Sequence, residues 1–433
     1  MKIMFKTVVA TVLVFNSFSV LAQETINLSL DSAINYAIFN NKSLLNARYA
    51  SQKSHEKVWE TTASGLPQVS AGVDYNNYMG AEASIKFSEQ APATTIAFNP
   101  TSSFSLSVNQ LIFNGNYFVG VQLAKLADQV SGLSYLKSEL EVKEQVTRTY
   151  FLILVAERTV KIIDANKVNT QLVYEKTNNL AKVGMIEKTD VDKLSVMVTS
   201  IENSLKAAER QLEMAYNTLR LLLGLDAQTN IKLITSLEDV SQQNKFETAL
   251  TNSFSIENNY DYKLILMQEK MSQKQLLLDK SSYLPSLVGY YSYTEKLLKP
   301  KFDMTPKNVI GLKLSVPIFS SGIRRSKVNQ SRIGIQMAEN TRSLLSQQLE
   351  IQEKQLRYNL NNMLEQYKNQ KLNVEIAKEI FNKMTLKYEQ GIVSSLELTS
   401  ANSNYLTAES NYTSILFQLL DAEIALRKLN GNL

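Results

Sequence analysis

The chain of 433 residues has no cysteine, one histidine and one tryptophan. Without cysteine it has no disulfides, no thiolate metal sites and no lipid anchor of the bacterial lipoprotein type. The only histidine, His55, lies in a polar helical stretch, where a surface position is favoured over a metal ligand or general base. Phosphate-binding Gly-Lys-Ser/Thr loops, nucleophile elbows and zinc-binding helix motifs are also missing. The sequence thus gives no support to an enzyme, and we expect no cofactor and no bound metal.

Long apolar runs and a strong excess of one charge are missing as well. After the N-terminus, no segment has roughly 18 uninterrupted apolar residues, so no helical membrane anchor is predicted. The formal net charge is +5, and lysines and glutamates are interspersed, which is typical of solvated helix faces and does not indicate nucleic-acid binding. Residues 1–22 combine early lysines, an apolar stretch and the small-residue end Val20-Leu21-Ala22. They predict a secretory signal peptide cleaved after Ala22, the alternative being a buried N-terminal helix or strand.

What the sequence does contain is an internal duplication. Leu66-Pro67 recurs as Leu284-Pro285, 218 positions later, whereas three glycine pairs share an offset of 207. The first copy therefore has 11 more residues between its proline and its first glycine. A repeat of this length predicts a duplicated architecture: residues 23–225 and 246–433, joined by a polar linker at 226–245. The glycine pairs are Gly115 and Gly322, Gly184 and Gly391, and Gly224 and Gly431.

Each copy has two segments in which apolar and polar residues alternate, and this predicts strand pairs at 67–113 and 285–319. In the second copy the alternation extends to Ile318. Amphipathic strands of about ten residues suit either a soluble sandwich or a transmembrane barrel, and the tyrosines along them favour the barrel. Four strands cannot close a barrel alone. Either they form an ordinary small sheet, or several chains contribute strands to one barrel.

The remaining residues have helical periodicity. We predict helices at 30–64 and 246–280 and long helical hairpins at 116–224 and 323–430. The first helix of each hairpin runs for about 65 residues, on the order of 100 Å. Helices of this length are stabilised by lateral, coiled-coil-like packing. The predicted fold class is mainly α with a small β part.

In this order and in two copies, the motifs resemble those of the TolC-type outer-membrane efflux family over essentially the whole mature chain. The sharpest matches are Val316-Pro317-Ile318-Phe319 before Gly322, the two Leu-Pro strand entries, and the turn from Val183 to Val191. The resemblance implies a homotrimer whose 12-stranded barrel, with four strands per chain, lies in outer-membrane lipid and continues as a periplasmic α-helical barrel. It also implies a passive duct for efflux or type I secretion, fed by an inner-membrane pump through a periplasmic adaptor.

The same resemblance assigns candidate site residues. At the closed periplasmic tip, Asp190, Tyr388 and Glu397 match gate positions of the family, whereas Val393 and Ser400 depart from its arginine and second acid. A carboxylate ring could select cations; alternatively, Asp190 only caps a helix and Glu397 is a solvated surface charge. The adaptor-contacting tip turns are Gly184, Met185, Ile186, Gly391, Ile392 and Val393. The strand-to-helix turns are Pro67, Gly115, Pro285, Pro317 and Gly322.

Two other functions remain open from the sequence. A periplasmic coiled-coil adaptor would also have long helical hairpins, but it would carry a lipoyl-like or barrel domain in place of two amphipathic strand pairs. An exported enzyme is disfavoured by the missing catalytic groups. The sequence does not identify the cargo, the pump or the adaptor.

Overall fold

The computed structural model describes residues 25–86, 88, 92–237, 239–240, 246–251, 253–299 and 303–433. The predicted signal peptide lies outside the described residues. The chain divides into two compact units. The first comprises the described residues within Met1–Tyr36 and Thr149–Asn244, and the second those within Ala37–Arg148 and Lys245–Leu433.

Helices make up most of the described chain, which confirms the predicted fold class. The long helices α3 and α7 have 68 and 67 residues, or about 100 Å each. The helices are α1 (Leu30–Asn40), α2 (Lys42–Ala63), α3 (Gly115–Lys182), α4 (Lys188–Leu223), α5 (Phe246–Thr251), α6 (Tyr260–Ser281), α7 (Ile323–Glu389) and α8 (Ser395–Leu429).

Helix α4 shows why these segments are helical. Its buried residues recur in steps of three and four, which places them on one stripe of the helix. Gly224 ends the helix in the left-handed conformation, with φ of 70°, and the Leu225 amide donates to the Arg220 carbonyl at 2.9 Å. This is the usual glycine C-terminal cap. The stripe near the start of α4 consists of Val191, Leu194, Val198, Ile201 and Leu205.

One four-stranded antiparallel sheet contains the long strands of both repeats. Its order is β2-β5-β7-β8, so the two repeats join through the central pair β5–β7, with Gln110 opposite Gly289. The outer strands β2 and β8 have no further partner among the described residues. The strands are β1 (Ile26–Leu28), β2 (Gln68–Asn76), β3 (Glu82–Ile85), β4 (Thr94–Ala97), β5 (Thr101–Asn114), β6 (Ile231–Leu233), β7 (Ser286–Leu298) and β8 (Asn308–Ser315).

The structure corrects the predicted end of the last strand. Alternation predicted a strand through Ile318, but β8 ends at Ser315 and residues 316–320 are irregular. Pro317 has no amide hydrogen to donate to a neighbouring strand, so the ladder stops before it. Val316 and Ile318 are therefore apolar residues of a connecting segment, 54% and 92% exposed respectively.

A second correction concerns the predicted helix at 246–280. The described residues form α5, a 3-10 turn at Ile256–Asn258, and α6 from Tyr260. Asn259 separates them, because its side chain accepts from the amides of Asp261 and Tyr262 and so caps α6. Its Nδ2 donates to the Leu429 carbonyl at 3.1 Å, which joins the start of α6 to the end of α8.

Two regions predicted as irregular contain short sheets. The longer loop of the first strand pair includes the hairpin β3–β4, in which Glu82 lies opposite Ala97. The polar linker at 226–245 includes β6, which pairs in parallel with β1. Both are short local pairings that the alternation pattern is too brief to reveal.

The duplicated turns between helix, strand and helix are alike at their entries and differ at their exits. Before Pro67 the Leu66 amide donates to the Ala63 carbonyl at 2.9 Å, and before Pro285 the equivalent bond from Leu284 is 3.0 Å. At the exits, Gly322 has a φ of +79°, which only glycine adopts readily. Gly115 is needed for space, because a Cβ there would lie 2.7 Å from Leu284 Cδ1.

Candidate functional site

The turns at the ends of α3 and α7 have the same backbone geometry. Gly184 and Gly391 have φ of +78° and +72°. Each glycine amide donates to the carbonyl three residues back, at 3.0 and 2.9 Å, and each following amide donates five residues back at 3.0 Å. Only glycine enters this left-handed conformation without strain. The two turns are therefore one structure that occurs twice.

Both turns present apolar side chains to solvent. Val183 and Met185 in the first turn are 70% and 74% exposed, and Ile392 and Leu396 at the second are 64% and 68% exposed. Ile186 and Val393 are only partly exposed. Exposed apolar residues clustered at a helix turn are typical of a protein contact surface.

The gate candidates Asp190 and Glu397 occupy the same position, three residues after the N-cap of α4 and α8. Glu397 completes a capping box: its Oε2 accepts from the Ser394 amide at 2.8 Å, and its own amide donates to Ser394 Oγ at 3.3 Å. The start of α4 lacks this box, because the Glu187 side chain caps no amide.

Asp190 instead forms an ion pair with Lys193, whose Nζ lies 3.3 Å from Asp190 Oδ1. Sequence reasoning missed Lys193, although its spacing of three residues after Asp190 on a helix is that of a neighbouring side chain. Negative charge in the first turn also interacts favourably with the helix dipole. Both carboxylates thus have a structural role, which does not prevent them from facing a channel.

The third gate candidate, Tyr388, is partly exposed one turn before Gly391. Asp190 belongs to the first compact unit, and Tyr388 and Glu397 belong to the second. Farther from the turn, α7 and α8 are joined by two stacked aromatic pairs. The ring centroids of Phe381 and Tyr405, and of Tyr367 and Tyr412, are each 5.7 Å apart.

At the far end of α4, polar groups with little exposure pair with one another. Arg220 is buried, and its guanidinium donates to Glu213 Oε1 at 2.6 Å and to the Thr229 carbonyl at 2.7 Å. The Tyr216 hydroxyl donates to Glu157 Oε1 at 2.5 Å. Burial, reinforced by Glu157, raises the pKa of Tyr216 well above its usual range. This cluster fixes the base of the first hairpin and does not resemble a catalytic site.

The described residues contain no group of three His, Cys, Asp or Glu side chains that would hold a metal ion. His55 is exposed, with its Nδ1 3.4 Å from Asp128 Oδ2. None of the helices in the described part of the chain is both long and apolar enough to cross a membrane.

Comparison with known proteins gives consistent matches. The family model for outer membrane efflux proteins matches residues 33–225 and 256–432. The outer membrane protein TolC of Vibrio cholerae is 23% identical over 313 residues, which cover 70% of this chain and 68% of TolC. The chain also has the fold of crystal structures of CusC and of VceC from Vibrio cholerae. The TM-scores are 0.75 and 0.72, with 16% and 14% identity; 93% of this chain is covered in both cases, with 92% of CusC and 96% of VceC.

The fold, with its four-stranded sheet and two long helical hairpins, is that of outer-membrane channels. The chain belongs to the outer membrane efflux protein family. The predicted outer-membrane location and channel function, and the absence of an enzymatic activity, are thereby confirmed. The alternative of a periplasmic adaptor is not supported.

Proposed function

We propose that three copies of this chain form one export duct through the outer membrane. The observation that carries this proposal is the four-stranded sheet with two free edges, β2 and β8. An open edge in lipid would leave backbone amides and carbonyls without hydrogen bonds, so strands in a membrane must close into a barrel. Pairing β8 of one copy with β2 of the next in a trimer closes a ring of twelve strands.

Side-chain exposure along β8 agrees with a lipid-facing strand. Ile310, Leu312 and Leu314 alternate with Gly311, Lys313 and Ser315 and are 85%, 69% and 63% exposed. In water, such a face would be an aggregation hazard. In a barrel it contacts lipid, while Lys313 faces the lumen.

The long helices continue from strand ends, α3 directly from β5 and α7 shortly after β8. We propose that they form the periplasmic part of the duct, with the glycine turns farthest from the membrane. The exposed Val183, Met185, Ile392 and Leu396 would then contact a periplasmic adaptor, which connects the duct to an inner-membrane pump. A contact with the adaptor gives these exposed apolar side chains a partner.

We further propose that Asp190, Tyr388 and Glu397 line the periplasmic gate. In a trimer each acid occurs three times, and a ring of carboxylates attracts cations and repels anions. The capping role of Glu397 and the ion pair of Asp190 fix both side chains near the turn, where a constriction formed by the hairpins would lie.

Assembly is tested with the full-length protein extracted from membranes in detergent. We expect a trimer that dissociates on heating, fractionates with the outer membrane and conducts ions in planar bilayers. The absence of cysteine allows a single Ile310→Cys variant to be labelled specifically at its introduced thiol. A water-soluble monomer, or rapid reaction of that thiol in the membrane with an impermeant maleimide, would contradict the barrel.

The gate is tested by neutralising its acids with isosteric amides, Asp190→Asn and Glu397→Gln. Removing six carboxylates per trimer should lower the cation preference of the open channel, because the local negative potential is lost. The measurement is the reversal potential in a salt gradient. The matched control is Glu375→Gln with Glu379→Gln, which neutralises two exposed acids of α7 away from the turn. Unchanged selectivity in the gate variant would assign both acids to helix capping alone.

A further inference from the structure

One segment of the second repeat has a strongly biased charge. Between Asp303 and Glu339 there is no acidic residue, and there are six basic ones. The equivalent segment of the first repeat, residues 97–131, has one lysine and one aspartate. A difference of this size between duplicated segments indicates a role that only the second copy has. The basic residues are Lys307, Lys313, Arg324, Arg325, Lys327 and Arg332.

Three of these residues, Arg324, Arg325 and Lys327, lie in the first turns of α7, and we call them the basic collar. They follow directly on an apolar segment in which Ile318, Phe319 and Ile323 are 92%, 85% and 60% exposed. The collar therefore lies at the junction between the sheet and the helix. Apolar side chains followed within a few residues by cations form the pattern of a membrane interface.

The collar also includes an aromatic contact. The Arg324 guanidinium lies 5.8 Å from the centroid of the Tyr283 ring, and Tyr283 precedes the Leu284-Pro285 entry to β7. Tyrosine is enriched where the hydrocarbon region of a bilayer meets the headgroups. The ring holds Arg324 at the junction without neutralising it, since a cation–π contact leaves the guanidinium charge and its donors available.

The collar cations are not used within the described part of the chain. No described carboxylate lies within 4 Å of Arg324, Arg325 or Lys327, whereas Lys307 pairs with Glu295 at 2.7 Å. Arg325 and Lys327 are exposed. Three adjacent cations repel one another at the positively polarised N-terminus of a helix, so their placement costs stability unless an anion is bound.

The first repeat shows that the fold does not require this charge. Tyr117, Phe118 and Gly120 stand 207 positions before the collar residues. Tyr117 packs, with its hydroxyl donating to the Thr62 carbonyl at 2.9 Å, and none of the three residues is a cation. The same strand-to-helix turn is therefore built without the collar.

We propose that the basic collar binds the anionic headgroups of phospholipids in the periplasmic leaflet of the outer membrane. The placement at that leaflet rests on the proposed function, which puts α7 in the periplasm. Guanidinium and ammonium groups donate to the phosphate oxygens, the helix N-terminus adds its favourable potential, and Ile318 and Phe319 enter the acyl region. In a trimer three collars would alternate with the uncharged junctions of the first repeat.

The experiment uses the full-length detergent-solubilised protein and titrates it with phosphatidylglycerol or phosphatidylcholine in mixed micelles. Bound lipid is counted by native mass spectrometry. We expect a clear preference for phosphatidylglycerol. The variant Arg324→Gln, Arg325→Gln, Lys327→Gln should bind it roughly 100-fold more weakly, or about fivefold per charge. The conservative pair Arg324→Lys, Arg325→Lys should retain most of the affinity, because the charge remains.

A matched control removes the same charge elsewhere on the same helix. Lys354, Lys371 and Lys378 are exposed on α7, with Lys354 about 40 Å beyond the collar. Their replacement by glutamine should leave lipid binding unchanged. If the control variant loses the preference equally, the effect comes from net charge and the collar proposal fails.

Other outcomes also overturn the proposal. They are equal binding of the two lipids by the natural sequence, retention of the preference by the collar variant, competition by millimolar inorganic phosphate, and binding of lipopolysaccharide in place of phospholipid. Trimer formation and conductance are measured on the same samples. A conducting trimer without lipid preference refutes the collar and leaves the channel standing, whereas a monomer without conductance refutes the channel.

Discussion

The two helical hairpins of this chain have nearly the same lengths and different interiors. Their helices have 68 and 36 residues in the first hairpin and 67 and 35 in the second, and their turns share one backbone geometry. The second hairpin has two stacked aromatic pairs and a complete capping box. The first has neither: Val160, Leu205, Tyr174 and Val198 stand at the positions of the four stacked rings.

The comparison shows which features of a duplicated hairpin are constrained. Length and turn geometry must agree between copies if both turns are to reach one level at the tip of a shared tube. Side chains between the two helices of a hairpin are constrained only by local packing, so they diverge. We therefore expect the second hairpin to be the more rigid one near its turn, and the first to open more readily.

The largest expected effect comes from removing the aromatic stack. Phe381→Ala deletes a ring that is only 7% exposed and stacks on Tyr405 with an interplanar angle of 7°, and Phe→Ala in a packed interior costs about 3 kcal/mol or more. The equivalent change Tyr174→Ala, at a partly exposed position, should cost about 1 kcal/mol. Amide hydrogen exchange of peptides from the two hairpins measures both losses.

Two controls make this test specific. Phe381→Leu keeps apolar contact and should recover part of the loss, and the peptides of the unmutated hairpin should be unchanged. Equal deprotection of both hairpins by their own variants would show that the aromatic pairs do not make the second hairpin stiffer.

The next effect concerns the helix starts at the turns. Glu397→Ala breaks the capping box with Ser394 and should destabilise the first turn of α8 by about 1 kcal/mol. Asp190→Ala removes only an exposed pair with Lys193, at 3.3 Å, and its dipole interaction, worth about 0.5 kcal/mol. Susceptibility of the two turns to limited proteolysis compares them. Glu397→Gln, which can still accept from the Ser394 amide, serves as the control and should resist cleavage like the natural sequence.

Much of the fold was predictable because glycines and periodicity carry long-range information. The common offset of 207 predicted the lengths of both hairpins and the positions of their turns. The sequence did not reveal the end of β8 at Ser315, since alternation continues through Pro317 to Ile318 although the proline cannot donate to a ladder. It also hid the break before α6, because Asn259 acts through a cap whose partners are known only once the chain is folded.

The candidate site was predictable in position and not in its contacts. The offset of 207 already makes Asp190 and Glu397 equivalent, and the Ser394-Ser395-Leu396-Glu397 pattern is that of a capping box. Whether both acids face a shared lumen depends on side chains from several chains, which no local pattern encodes. The aromatic pairs were likewise hidden, because residues on α7 and α8 meet only after the hairpin has closed.

The smallest expected effect separates the bases of the hairpins by their pH dependence. Glu423 and Tyr216 stand at equivalent positions, the first buried and the second partly buried. Burial raises the pKa of Glu423 above its ordinary value of 4.5, and Arg427, with Nη1 3.8 Å away, opposes the shift only weakly. Because the folded state favours the protonated acid, its stabilising contribution is complete below pH 4.5 and is lost as the pH rises through the raised pKa.

Glu423→Gln should therefore raise the Tm at about pH 7, change it little at about pH 4, and flatten the dependence between them. Tyr216 remains neutral over this range, because its pKa is raised further from an already high value. The matched change Tyr216→Phe should thus lower the Tm at both pH values, since it loses the hydrogen bond to Glu157. Parallel pH profiles for Glu423→Gln and the natural sequence would show that Glu423 ionises as readily in the folded chain as in the unfolded one.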